Sequence, residues 1–218
     1  MRAQLFTALL LSGAASACPL VDRQSATPTT AAAGPATTGK TGNGETKVDM
    51  VAAIKAIMPK SESCEGADFP DECRTAEQAA PFVSKACADL SDGECAATLS
   101  LMGYESEDFR YKHNLGNNPG QGTANMMQIN FITMYATDLF GADKVAGLAP
   151  DEVLALVTPD EANFGSAAWF LKTQCPDVRD GLKTASDAGW AAYHACIGTD
   201  LNDKRNAYWA RAKTAFGL

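Results

Sequence analysis

The chain has 218 residues, of which 46% are hydrophobic and 20% charged, and its formal net charge is −8. That length accommodates one domain, or one domain with a tail, and the apolar share is enough to bury a core. The acidity argues against a basic groove for nucleic acid and against bulk attraction to anionic polymers, so any such partner has to be met by a specific cleft.

In chain order, "MRAQLFTALLLSGAASAC" has an early Arg2, an apolar run from Leu5 to Leu11 and small residues at Ala15-Ser16-Ala17. This reads as a secretory signal peptide over 1–17, cut before Cys18, with an apolar run too short to span a membrane. Lipidation of Cys18 is disfavoured because Ala15 stands where a lipobox prefers Leu. Residues 18–46 are dominated by Thr, Ala, Gly and Pro, a composition that cannot bury enough surface to offset its ordering entropy, so a disordered linker is expected. The folded domain is expected over 47–218, in a protein that is extracellular, free of the membrane after signal cleavage, and monomeric.

The folded part reads as helices. "KVDMVAAIKAIM" places Val48, Val51, Ile54 and Met58 at helical spacing and stops at Pro59. "TAEQAAPFVSKACADL" follows, with Thr75 as N-cap and a kink expected at Pro81. "DGECAATLSLMGYES" puts Cys95, Leu99 and Met102 on one face, with Asp92 as cap and Glu105 at or just past the helix end. "ANMMQINFITMYATDLFG" reads as a helix ending at Gly141. "APDEVLALV" and "TPDEANFGSAAWFLKTQC" both open on proline and acids. "SDAGWAAYHACIG" and "NDKRNAYWARAKTAFG" complete the set. Alternating strand patterns are nearly absent, which predicts an all-α class with at most a short hairpin inside 109–123.

Seven cysteines fit an exported chain. Setting aside Cys18 at the cleavage site, six remain, and six allow fifteen pairings. Closure between sequence neighbours gives Cys64–Cys73, Cys87–Cys95 and Cys175–Cys196. A metal site is not expected, because no CxxC occurs and only His113 and His194 could join one. Neither histidine has the Ser or Cys partner that nucleophilic catalysis needs. Trp169, Trp190 and Trp209 lie in helix patterns and read as core anchors.

The stretch most suggestive of chemistry runs from Tyr104 to Phe131. Glu105 adjoins an apolar helix face, the setting that raises a carboxyl pKa and makes a general acid. After it comes a loop of Asn114, Gly116, Asn117, Asn118, Gly120, Gln121 and Gly122, whose amides and exposed backbone suit neutral hydroxyl groups. Glu105-Ser106 with Phe109 resembles the first motif of the goose-type lysozyme and soluble lytic transglycosylase superfamily. "GTANMMQI" is similar to its GAxGLMQI block, matching at Gly122, Met127, Gln128 and Ile129. "NFGSAAWFL", from Asn163, is similar to NIxxGxxYL, and "AYHACIG" to AYNAGxG, matching at Tyr193, Ala195 and Gly198. Met126, Thr123, Asn125, Ala167, Phe170, His194 and Cys196 depart from the pattern, and the loop before Gln128 is longer than usual. The four blocks keep the superfamily's order, and the departures suggest a divergent, fungal-type secreted muramidase.

The resemblance implies a lysozyme-like, disulfide-stabilised fold and cleavage of the N-acetylmuramic acid–N-acetylglucosamine linkage of peptidoglycan. Glu105 would be the general acid. Gln128 would bond sugar or N-acetyl groups, Met127 would form an apolar wall, and Tyr193 would hold the acid in place. Tyr111 is the expected stacking residue in the loop, and Asn163 a further substrate-binding residue. Inverting hydrolysis needs a second carboxyl roughly 6.5–9.5 Å away; Asp108 is the first candidate, followed by Glu107 and Asp138. No metal or organic cofactor is implied. Rival expectations are a lytic transglycosylase on the same bond, a chitinase- or chitosanase-type hydrolase, and an inactive carbohydrate-binding or effector protein.

Overall fold

The computed structural model describes residues 48–218. The expected signal peptide (1–17) and linker (18–46) lie outside the described residues. Ten α-helices follow: α1 (Met50–Ile57), α2 (Ala76–Ala86), α3 (Asp92–Glu105), α4 (Ile129–Phe140), α5 (Ala142–Val145), α6 (Pro150–Val157), α7 (Asp160–Thr173), α8 (Arg179–Lys183), α9 (Asp187–Ile197) and α10 (Asp203–Phe216). The fold is all-α and disulfide-stabilised, with no strand among the described residues. The expected hairpin shrinks to isolated bridges, His113 with Gly122 and Gly122 with Met127. No helix among the described residues is long and apolar enough to cross a membrane.

Helix ends follow local chemistry. Asp49 caps α1 by accepting from the N–H groups of Val51 and Ala52. Thr75 and Gln78 cap α2 reciprocally, and Pro81, expected to kink this helix, lies inside its continuous span. For α3 the cap is Ser91, one residue before the expected Asp92, because Glu94 sits three residues on and returns a bond to the Ser91 N–H. The helix expected from Ala124 begins only at Ile129. Gly122 and Met127 exchange both backbone bonds (3.1 and 2.7 Å) and hold 123–126 as a turn, with Thr123 and Met126 at positive φ.

The centre of the core is α3. From Gly93 to Gly103 every residue is buried, so this helix is enclosed on all sides rather than on one face. α10 packs along it, with α1, α7 and α8 around the rest. Gly93 permits the closest approach: a Cβ there would lie 2.1 Å from the Leu182 carbonyl oxygen of α8. Between α9 and α10, Trp190 and Trp209 stack with centroids 5.2 Å apart, and their N–H groups donate to Asn206 and Asp187. Both are core anchors, whereas Trp169 is only half-buried on α7. The described cysteines close as Cys64–Cys73, Cys87–Cys95 and Cys175–Cys196.

One buried charge sits at the start of α3. Glu94 is 1% exposed and accepts from the Ser91 N–H (2.9 Å), the Ser91 hydroxyl (2.8 Å) and Arg179 Nε (2.6 Å). Burial alone would push its pKa up, but the Arg179 guanidinium and the Ser91 donors hold it below the ordinary value of 4.5. A depressed folded-state pKa contributes stability above the unfolded value, and that stability is lost as pH falls through the folded one. Glu94→Gln is therefore expected to lower the unfolding free energy by about 1–3 kcal/mol at pH 7, tempered by the solvent access of Arg179. The difference from wild type in urea titrations should shrink on acidification to below the Glu94 pKa.

Candidate functional site

Glu105 is the last residue of α3. The helix stops there because the Ser106 hydroxyl donates to the Met102 carbonyl (2.6 Å) and accepts from the Phe109 N–H (2.9 Å). Three successive non-glycine residues then take the left-handed conformation: Glu107, Asp108 and Phe109, with φ of 51, 64 and 68°. Each such residue costs about 1–2 kcal/mol, so the surroundings must hold the turn in place. The buried Phe109 ring packs edge-on to Phe164 of α7 (4.9 Å), and its carbonyl accepts from the Arg74 N–H (3.0 Å).

The Glu105 carboxyl faces Arg205 of α10, with Oε1 2.7 Å from Nη2. Only 19% of the Glu105 side chain and 8% of the Arg205 side chain are exposed. Burial pushes the Glu105 pKa up and the guanidinium pulls it down; burial prevails, and the carboxyl is raised above its ordinary 4.5. The carbonyl end of α3 is also a poor place for a carboxylate. Burial, together with Arg205, lowers His194 to about 4, so this fully buried ring is neutral near pH 7, with Nδ1 bonded to the Thr199 hydroxyl (2.9 Å).

Glu105 lies at the waist of a furrow. On one side a cavity of about 160 Å³ is walled by Met127, Gln128, Phe131, Asn125 and Thr199. On the other, a cavity of about 310 Å³ is walled by Glu107, Tyr111 and the 113–116 segment. The two share Glu105, Gln121 and Met126. The second runs on into a third, of about 520 Å³, through His113, Asn114 and Gln121. Gly122 lets the backbone beside the furrow come close to Lys112, since a Cβ there would lie 2.4 Å from the Lys112 carbonyl oxygen. A larger cavity of about 720 Å³ lies among α2, α4, α6 and α7, away from Glu105. Its walls are mainly apolar, and the polar tips of Tyr135 and Trp169 are already bonded, to the Ala162 carbonyl and to Asp138. The furrow, not this trench, holds the perturbed carboxyl.

Of the residues singled out in the sequence, Glu105, Met127, Gln128 and Tyr111 line the furrow. Gln128 is exposed at the start of α4, and the Tyr111 hydroxyl donates to Asp68 (2.8 Å). Four others do not line it. Asp108, the first candidate for second carboxylate, is 3% exposed and already accepts from the Lys60 N–H (3.0 Å) and the Tyr208 hydroxyl, so it has no free face for a water. Tyr193 is fully buried in the core, and its hydroxyl has no hydrogen-bond partner among the described residues. Asn163 is 2% exposed inside the core. Asp138 is engaged by the Trp169 indole. The carboxylate that does reach the furrow beside Glu105 is the exposed Glu107. The sequence reading missed Arg205, since one arginine in the polar run "NDKRNAYWARAK" carries no local signal of its partner. It also missed Asn125 and Thr199 as wall residues.

The donor inventory bears on cofactors. The chain has two histidines. His113 is bonded through Nδ1 to Glu72 (2.6 Å), and His194 is wedged edge-on against Trp190 with centroids 4.2 Å apart. Every described cysteine is in a disulfide. Among the described residues, no three or more His, Cys, Asp and Glu side chains converge as a metal-binding group.

No protein-family model and no solved structure matches the chain. A protein of Fusarium oxysporum (strain Fo5176) named bifunctional dioxygenase (DOX)-epoxy alcohol synthase (EAS) is 44% identical over 171 residues, covering 71% of this chain and 13% of the relative. The chain thus spans a small part of the relative's length. This likeness overturns the expected peptidoglycan hydrolase, together with its transglycosylase, chitinase and inactive-effector variants. The relative's name concerns dioxygenation and epoxy alcohol synthesis, not cell-wall degradation. That relative is an enzyme, which agrees with an enzymatic role here while giving no support to a glycoside hydrolase.

Arg205 is the cation that opposes burial at Glu105, so its removal has a defined sign. In Arg205→Met the Glu105 pKa should rise further, and a carboxyl-carbon NMR titration should find its midpoint at higher pH than in wild type. An unchanged or lower midpoint would show that the ion pair is not what restrains it.

Proposed function

We propose that this chain is an acid–base enzyme that opens a C–O bond in a neutral, oxygen-rich ligand lying in the furrow. The observation that carries this reading is Glu105: a mostly buried carboxyl with a raised pKa at the waist of an amide-lined groove. Such a group gives a proton to a departing oxygen far more readily than a solvated glutamate does. The exposed Glu107, which lines the same cavity as Glu105, would take a proton from an attacking water. The step balances: the water oxygen bonds to carbon, the C–O bond breaks, the Glu105 proton goes to the leaving oxygen, and the water proton goes to Glu107.

The relative supplies a candidate substrate class. An epoxy alcohol, the compound class in the relative's name, contains a strained, neutral C–O bond of this kind, and addition of water across that bond gives a triol. Dioxygenation is not assigned to this chain. Oxygen chemistry of that sort depends on a haem, flavin or metal centre, and among the described residues no group of three or more His, Cys, Asp or Glu metal donors converges. His194 is enclosed by protein, and the described cysteines are all paired. No step is routed through such a group.

The test is turnover of an epoxy alcohol by the purified chain in ¹⁸O-labelled water, read by mass spectrometry. Wild type should yield a triol carrying one labelled oxygen. Glu105→Gln, which keeps the size but loses the proton, should be slower by about 10²-fold or more with its melting curve retained. Equal rates for the two would remove Glu105 from the chemistry, and no triol from wild type would overturn the substrate class.

A further inference from the structure

Asp108 is no catalytic base, yet its surroundings are too specific for a spare surface acid. It is the middle residue of the left-handed turn that immediately follows Glu105. Its N–H donates to the Gly103 carbonyl (2.8 Å), and its carboxylate receives the Lys60 N–H (3.0 Å) and the Tyr208 hydroxyl. Tyr208 and Arg205 stand three residues apart on α10, and so share one face of that helix. One face of α10 therefore grips the chain twice, at Glu105 through Arg205 and at Asp108 through Tyr208.

The ground between the two grips is filled. The Arg205 guanidinium lies 3.9 Å over the Tyr104 ring, Tyr104 meets Tyr208 edge-on at 6.2 Å, and Arg211 covers Tyr208 at 4.3 Å. Gly103 leaves the room this needs, because a Cβ there would come within 2.8 Å of the Tyr208 ring. We propose that Asp108, locked by Tyr208 and the Lys60 N–H, is a positioning residue that fixes where α3 ends and so holds Glu105 against Arg205 at the furrow's waist. The effect on activity rests on the acid role given to Glu105 above; the placement of the carboxyl does not.

Two variants of the full chain test this. Tyr208→Phe removes the hydroxyl but keeps the ring and its packing, and so remains folded even where Asp108→Asn does not. The readout is the Glu105 titration by carboxyl-carbon NMR, assigned through the signal that disappears in Glu105→Gln. With the turn released, Glu105 gains water, and its midpoint should move by about half a unit or more toward the ordinary carboxylate value. A purely structural Asp108 would lower the melting temperature and leave that midpoint in place, which would overturn the proposal. An unmoved midpoint together with an inactive Glu105→Gln sinks the positioning role alone. A moved midpoint together with a fully active Glu105→Gln sinks the acid role alone.

Discussion

The site depends on a contest over one carboxyl. Burial at the end of a fully enclosed helix disfavours the charge on Glu105, and Arg205 of α10 favours it. Neither influence is local in sequence: about a hundred residues separate the two side chains, and only the packing of α10 along α3 brings them together. The rest of the furrow follows from that packing. Where α3 stops decides where the 106–128 segment starts, and that segment supplies most of the furrow wall. The helical core is thus a device for placing one ionisable group, with the irregular segment folded around it.

Much of the architecture was legible in the chain because helix formation obeys short-range rules. Apolar spacing and capping residues announce α1, α2, α6 and α10 with little ambiguity. Legibility failed where a tertiary contact overrode them. The Gly122–Met127 backbone pair took five residues away from the start of α4. Thr123 and Met126 hold left-handed conformations that their side chains would not announce.

The site was half legible. Glu105, Met127, Gln128 and Tyr111 flank glycine- and amide-rich sequence and could be found from their neighbours. Asp108 looked like a better base than Glu107 only because nothing in the sequence shows that Tyr208, a hundred residues on, already occupies it. Tyr193 and Asn163 were carried over from motif resemblance, and both lie in the core. The functional expectation failed for a similar reason. Four short blocks in the right order suggested a glycan hydrolase, whereas a likeness extending over 71% of the chain leads to a protein named for oxygen chemistry.

The ring closed by Cys64–Cys73 has a consequence for how the furrow meets its ligand. From that ring Asp68 receives the Tyr111 hydroxyl, Glu72 engages both the Lys112 N–H and His113, and Phe69 sits edge-on to Tyr111 and His113. A cross-link over so short a loop pre-pays the entropy of ordering that buttress while the chain folds. An incoming molecule then meets a rampart already set and spends little of its binding energy on stiffening it. Opened by a thiol reductant, the same rampart would have to be rebuilt at each encounter, so grip at this end of the furrow is tied to the oxidation state of the surroundings.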